Sequence, residues 1–364
     1  MSVSKEALRG YVLEEVLAYL IRNAGYKLIV DSRQDPFYLT SRGSTLYVRG
    51  RGSNHQVDVL GQLEWIPAFT FPLRLFAEAK FRKSKTNLPT VRNAVGTVLD
   101  VNQLVNVQKG DKLPEKKYQY EYVIFSTSGF SRDSIDMAMA HQISLIDISG
   151  EEYGNLLQII DYGCGQIVGI LQSQKAEEGR MGPPPGSKLV LEVRRYLRKH
   201  LGTVPSEFYE SQNSINHSIS STLDLIISAA RVYDQLFVGM ANGPSMLLLK
   251  ADDPQKFIQY SNDSPRHKVK IGWNKRVDKG RTWTISPSDC PDRYKLSFRL
   301  PDALYSWIFQ TPSRSILRAI QAKGTYFDNI YIYYKSEDRD NLFRLEFDPN
   351  SIDFSVVEPK VIIE

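Results

Sequence analysis

Apolar residues in the first quarter of the chain follow two rhythms. Leu8, Val12, Leu13, Val16, Leu17, Leu20 and Ile21 recur at steps of three and four, which lines one face of a helix. Ser4 is placed to cap that helix and Gly25 to close it, so the helix is predicted to end near Asn23. The rhythm then shortens. Residues 26–30, 45–49, 56–60 and 73–81 are rich in strand formers, and polar turns such as 50–54 separate them. Residues 89–104 return to helical spacing through Val91, Val95, Val98, Leu99 and Val101.

A continuous apolar run at 120–126 precedes a helix predicted for 132–141, capped by Ser131, and a second apolar run at 143–148. Strand, helix and buried strand in that order predict a parallel βαβ unit. Residues 151–174 read as helical. The stretch 175–188 holds three consecutive prolines flanked by glycines, which can continue neither a helix nor a central strand. Beyond it, 191–200 and 215–236 are helical in pattern. The rest is strand-rich and aromatic, with 329–334 and 342–347 as arms of a hairpin over a charged turn at 337–341. The expected organisation is an α/β domain at 1–174, a linker at 175–188 and a separate α+β, strand-rich domain at 189–364.

Composition adds boundaries to this picture. A chain of 364 residues suggests two domains or three. The formal charge of +5 permits a nucleic-acid partner without requiring one. Two cysteines, Cys164 and Cys290, form no metal-type pair and no disulfide framework. No apolar run reaches the ~18–20 residues that span a bilayer, and Met1 to Arg9 lacks the apolar stretch of a secretory signal. A cytoplasmic protein with no membrane association is expected.

The chemistry-bearing pattern is Asp58, then about twenty residues, then Glu78 and Lys80 two apart in an otherwise apolar strand. A period of two puts Glu78 and Lys80 on one face, with Ala77, Ala79 and Phe81 on the other. If the strands of Asp58 and Glu78 pair, one sheet edge offers two carboxylates and a lysine. Phosphodiester hydrolysis needs an activated water and charge stabilisation on phosphate, which a divalent cation held by carboxylates supplies. Glu-x-Lys alone is common on ordinary amphipathic strands, so the surrounding elements carry much of the weight.

Four stretches together resemble the PD-(D/E)xK nuclease superfamily, in its Mrr-like restriction endonuclease branch. They are L-E-E-V-L-A-Y-L-I-R-N-A-G-Y at 13–26, with Glu14 eleven positions before Gly25; Q-V-D-V-L-G at 56–61; F-A-E-A-K-F at 76–81; and V-I-F-S-T-S-G-F-S-R-D-S-I-D-M-A at 123–138, followed by I-S-L-I-D. The resemblance covers about residues 8–148 and stops before the proline run. No proline precedes Asp58, and Glu78 stands where the branch often has glutamine. It implies a restriction-endonuclease-like mixed sheet flanked by helices. It also implies catalytic Glu14, Asp58, Glu78 and Lys80, and Mg²⁺ (with Mn²⁺ as a substitute) held by Asp58, Glu78 and the backbone of Ala79. DNA would be the partner and a homodimer the assembly, acting as a restriction-type or anti-phage nuclease. A repair or recombination nuclease such as a junction resolvase and a non-catalytic nucleic-acid-binding module remain as alternatives. The role of 189–364, in DNA recognition or in sensing a protein or small-ligand partner, stays open.

Other residues are weighed against ordinary roles. Glu15 competes with Glu14 for the place near the site. Arg49, Arg51, Lys83 and Lys85 are candidate DNA contacts, by the affinity of basic side chains for phosphate, or simply solvated charges. His55 lacks the partners of a histidine nuclease and reads as a turn residue. Gln103 reads as a helix-surface amide. Ser126 to Ser128 lack the glycine spacing of a hydrolase elbow and read as a strand-to-helix loop. In the second half, the basic and aromatic stretch 267–281 is the place where base stacking would be sought first.

Overall fold

The computed structural model describes residues 3–43, 45–64, 70–104, 116–178, 186–205, 215–233, 236–242, 246–273, 281–335 and 340–352. Two units are distinguished, Met1–Asp234 and Gln235–Glu364.

In the first unit, helix α1 (Lys5–Asn23) starts where the Ser4 side chain accepts the Ala7 N–H at 3.1 Å, and it gives way to Gly25 at φ +91°. Strands β1 (Tyr26–Ile29), β2 (Leu39–Arg42), β3 (Thr45–Arg49), β4 (Asn54–Gln56), β5 (Val59–Leu63) and β6 (Leu73–Lys80) follow. Next come α2 (Leu88–Asn102), β7 (Gln119–Ser126), α3 (Arg132–Ala140), β8 (Ser144–Asp147), α4 (Glu151–Glu178), α5 (Gly186–Leu201) and α6 (His217–Arg231). The main sheet has the order β1-β5-β6-β7-β8, antiparallel from β1 to β6 and parallel from β6 to β8. The parallel pairs are those joined through α2 and α3, because parallel neighbours need a crossover. The expected βαβ unit is therefore present. Helix α1 packs against β5, where a Cβ on Gly61 would come within 3.2 Å of Ile21. Glycine there lets the helix lie close to the sheet.

Two expectations change. Residues 56–60 are not one strand: β4 belongs to a three-stranded sheet, β2-β3-β4, while β5 belongs to the main sheet. The chain leaves one sheet and enters the other at Val57 and Asp58. The expected boundary within 175–188 also moves. Helix α4 continues to Glu178 and α5 begins at Gly186, while 179–185 lie outside the described residues. Helix α5 packs on α1, and α6 on α4, so these helices belong with the first unit.

The second unit contains β9 (Leu236–Ala241), β10 (Met246–Ala251), α7 (Pro254–Asp263), β11 (Arg266–Trp273), β12 (Thr282–Pro287), β13 (Leu296–Arg299), α8 (Asp302–Phe309), α9 (Ser315–Tyr326), β14 (Asn329–Lys335) and β15 (Asp340–Phe347). The strands close into a barrel in the order β10-β13-β12-β11-β15-β14-β9, completed by the β9–β10 pair. Closure gives each of these strands a neighbour on both sides. The expected hairpin is the antiparallel β14–β15 pair, although 336–339 of its turn lie outside the described residues. Trp283, Phe257, Phe298, Phe327 and Phe343 belong to its buried core. Among the described residues no helix is long and apolar enough to cross a membrane.

Candidate active site

Asp58 occupies the bend just before β5, and the β5–β6 ladder pairs Val59 with Ala77. Continued by one residue, that register brings Asp58 opposite Glu78 at the C-terminal end of β6. The contact is fixed by a hydrogen bond: the Ala79 N–H donates to Asp58 Oδ2 at 2.9 Å. The three residues thus meet at the end of a central strand rather than at a sheet edge. Lys80 Nζ forms an ion pair with Glu78 Oε1, as expected of side chains two apart on one strand face. The other carboxylate oxygen, Oε2, accepts the Tyr122 hydroxyl at 2.8 Å. Tyr122 comes from β7 and stacks on Phe76, with ring centroids 4.7 Å apart.

Glu14 and Asp58 line one cavity of about 120 Å³, with Tyr11, Gln56 and Arg194 among its other walls. That volume has room for several water molecules. Glu78 and Lys80 do not line it, so Asp58 is shared between two clusters: Glu14, Asp58 and Arg194 on one hand, and Asp58, Glu78 and Lys80 on the other. Arg194 projects from α5 and meets Glu14 Oε2 at 3.0 Å and Glu15 Oε1 at 2.6 Å. Arg198, one turn later, meets Glu15 Oε2 at 2.9 Å.

Electrostatics separate the two neighbouring glutamates. Burial pushes the Glu14 carboxyl up to about 8; Arg194 opposes this, while the charges of Asp58 and Glu15 add to it. Burial also raises Glu15, but Arg198 and Arg194 outweigh it and hold that carboxyl below its ordinary value. Burial raises Asp58 as well, against the Ala79 N–H and Lys80 and together with Glu78. Glu15 is therefore a satisfied buried ion, whereas Glu14 and Asp58 stay in each other's field with their charge incompletely compensated. Among the described residues no group of three or more His, Cys, Asp or Glu side chains is arranged to hold a metal ion.

The remaining candidates have plain placements. Arg49 ends β3 and donates to the Leu39 carbonyl at 3.3 Å; Arg51, Lys83 and Lys85 are exposed. His55 Nε2 lies 2.7 Å from Asp100 Oδ2 and 3.2 Å from Ser53 Oγ. The other ring nitrogen, Nδ1, lies 3.4 Å from the hydroxyl of Thr97, a buried residue of α2, so the ring ties the turn to that helix. Asp100 also accepts the Gly52 and Ser53 N–H groups, which pins the 50–55 turn to α2. Ser126 is buried and bonded to Thr86 and to the Gly129 carbonyl. Gln103 is exposed at the end of α2. In the second unit the His267 ring lies 2.7 Å from the Ser264 carbonyl through Nδ1 and 2.6 Å from the Tyr294 hydroxyl through Nε2. Lys275, Arg276 and Lys279 lie outside the described residues.

Sequence reasoning missed Arg194, Arg198 and Tyr122. A usable signal was the Glu14–Glu15 pair on the inward side of α1, which demands nearby cations. The arginines four apart at 194 and 198 are spaced to share one helix face.

No family model matches the chain, and no curated protein does. Among solved structures, a crystal structure of a protein of unknown function, AF1548, is 17% identical and covers 61% of this chain and 97% of its own, with a TM-score of 0.32.

Proposed function

We propose that the chain is a metal-dependent DNA endonuclease of the PD-(D/E)xK superfamily, in its Mrr-like branch, with a restriction-endonuclease-like fold in the first unit. Its role would be restriction-type or anti-phage defence in the cytoplasm, with two copies cutting two strands. The observation that carries this reading is the Asp58–Ala79 hydrogen bond. It brings the first acid to the strand end that already holds Glu78 and Lys80, with Glu14 on the far side of Asp58.

The donor set fits a hard divalent cation. Mg²⁺ takes one or two carboxylates and completes its shell with water and substrate phosphate, so a third carboxylate is not needed. Burial raises Asp58 and Glu14, and a cation relieves that cost. Asp58, Glu78 and the Ala79 carbonyl would hold Mg²⁺ or Mn²⁺, which supplies Lewis acidity at the phosphate and an acidified water. Lys80 places a positive charge beside Glu78, where it orients a water or stabilises charge on the phosphate. Tyr122 fixes the rotamer of Glu78. Glu14, with its carboxyl raised to about 8, can exchange a proton near neutral pH, where an ordinary glutamate is fully ionised. Arg49, Arg51, Lys83 and Lys85 are the proposed phosphate contacts.

The test is direct. Purified protein with Mg²⁺ or Mn²⁺ is expected to cleave plasmid or phage DNA, modified or unmodified, and Asp58→Ala to abolish this without changing the circular dichroism. If all of these DNAs stay intact under both metals, the endonuclease reading fails; binding without cutting would indicate a nucleic-acid-binding module instead. Preference for branched over linear DNA would move the reading to a junction resolvase.

A further inference from the structure

Helix α5 lies beyond the proline run and outside the segment that resembles a nuclease, yet it supplies the basic side of the cavity. Arg194 is only 11% exposed and divides its guanidinium between two adjacent glutamates, with one nitrogen on Glu14 and another on Glu15. Glu15 has both oxygens occupied, one by Arg194 and one by Arg198. Glu14 has Oε2 paired with Arg194, while among the described residues Oε1 has no hydrogen-bond partner. A planar guanidinium fork fixes a carboxylate in direction as well as in place. Both arginines line the cavity, but Arg198 bonds Glu15 and not Glu14, so the two share a buried structural partner and differ at Glu14.

We propose that Arg194 is a positioning residue of the site: anchored on Glu15, it clamps one oxygen of Glu14 and leaves the other free to meet a water or cation beside Asp58. Helix α5 is then part of the working site rather than of a separate domain. The proposal rests on the nuclease reading above.

Arg194→Gln, Arg194→Lys, Arg198→Gln and Glu14→Gln are compared in the full-length protein by steady-state cleavage, Mn²⁺ calorimetry and urea unfolding. Arg194→Gln is expected to lower kcat and weaken Mn²⁺ binding by roughly 10- to 100-fold, as for groups that orient metal-site side chains. KM for DNA should stay within about threefold, because the contact is to Glu14 and not to the nucleic acid. Arg194→Lys should recover part of the loss, and it decides the matter if Arg194→Gln does not fold. The double variant with Glu14→Gln should be no worse than Glu14→Gln alone. Arg198→Gln should lose stability through Glu15 while holding kcat and Mn²⁺ affinity within about threefold of wild type. Equal effects of the two arginine variants on kcat and Mn²⁺, or tighter Mn²⁺ binding by Arg194→Gln, would overturn the proposal alone. Wild-type protein that neither cuts DNA nor binds Mn²⁺ would overturn the nuclease reading and this proposal with it.

Discussion

The two units spend their interiors differently. Among the described residues every fully buried charged side chain, Arg9, Glu15 and Arg74, belongs to the first unit. The second unit buries Trp283 and a set of phenylalanines instead, and among its described residues the buried polar ones are Ser261 and Ser315. Burying charge is costly unless each ion is paired and hydrogen-bonded. Arg74 meets that condition with Asp35 at 2.5 Å, Gln62, the Tyr120 hydroxyl and a stack on Tyr118. Glu14 and Asp58 meet it only in part, which is why burial dominates both. The contrast supports the proposed site: a fully satisfied buried ion is architecture, while an incompletely satisfied pair in a cavity is where a substrate or cation would have something to contribute.

The sharpest separation of the two regions is by mutation. Asp58→Ala should cost about 10⁴-fold in cleavage, some 5 kcal/mol of barrier, with little loss of stability, because it removes a buried carboxylate whose ionisation burial disfavours. Rapid-quench cleavage and urea unfolding on the same preparation test this; a large stability loss with a small rate loss would make Asp58 a structural residue. Trp283→Ala should act in the opposite sense. Its side chain has no exposure, and emptying such a site costs about 4 kcal/mol of stability. The cleavage step at saturating DNA should move by less than about threefold, since no acid of the site is disturbed. A Trp283 variant that unfolds no more easily than wild type would mean that the barrel core can repack.

The sequence displayed the first unit better than the second, for a physical reason. The α1 stripe, the β6 face and the β7–α3–β8 unit are periodic within one element or its immediate successor, so local spacing reveals them. Asp58 was recognisable by type but misplaced in structure, because Q-V-D-V-L alternates smoothly through a change of sheet. That change is decided by partners, β3 for Gln56 and β6 for Val59. Arg194 was hidden for a similar reason. A proline run reads as a domain break, and only the packing of α5 on α1 shows that the chain returns to the same core. Barrel closure depends on β9 pairing with both β10 and β14, the latter about ninety residues away, and no local pattern encodes that.

The pH dependence sharpens the same contrast at smaller amplitude. The folded chain holds the Glu14 proton up to about 8, whereas the ordinary value is 4.5. Between those values the folded state binds a proton that the unfolded state has lost, so stability is greatest at the acid end of the window and falls as pH rises through it. Asp58, also raised, contributes in the same direction. Glu14→Gln, a permanent mimic of the protonated form, should flatten the slope and gain on the order of 2 kcal/mol at pH 8.5. Urea midpoints at pH 5 and 8.5 measure it, and parallel profiles for variant and wild type would show that Glu14 is not held protonated by the fold.

The smallest effect probes how tightly the second acid is held. Tyr122 donates to Glu78 Oε2 at 2.8 Å, while Lys80 holds Oε1. Phenylalanine at 122 keeps the ring and its stack on Phe76 and removes only the hydroxyl. The loss should be about 1 kcal/mol, the usual worth of one such hydrogen bond, seen as roughly a fivefold fall in kcat. Lys80→Met should cost far more, because it removes the charge as well as the contact. A Tyr122→Phe rate equal to wild type, with Lys80→Met inactive, would mean that Lys80 alone orients Glu78. A Tyr122→Phe loss as deep as that of Asp58→Ala would instead place the hydroxyl itself among the groups that touch the substrate.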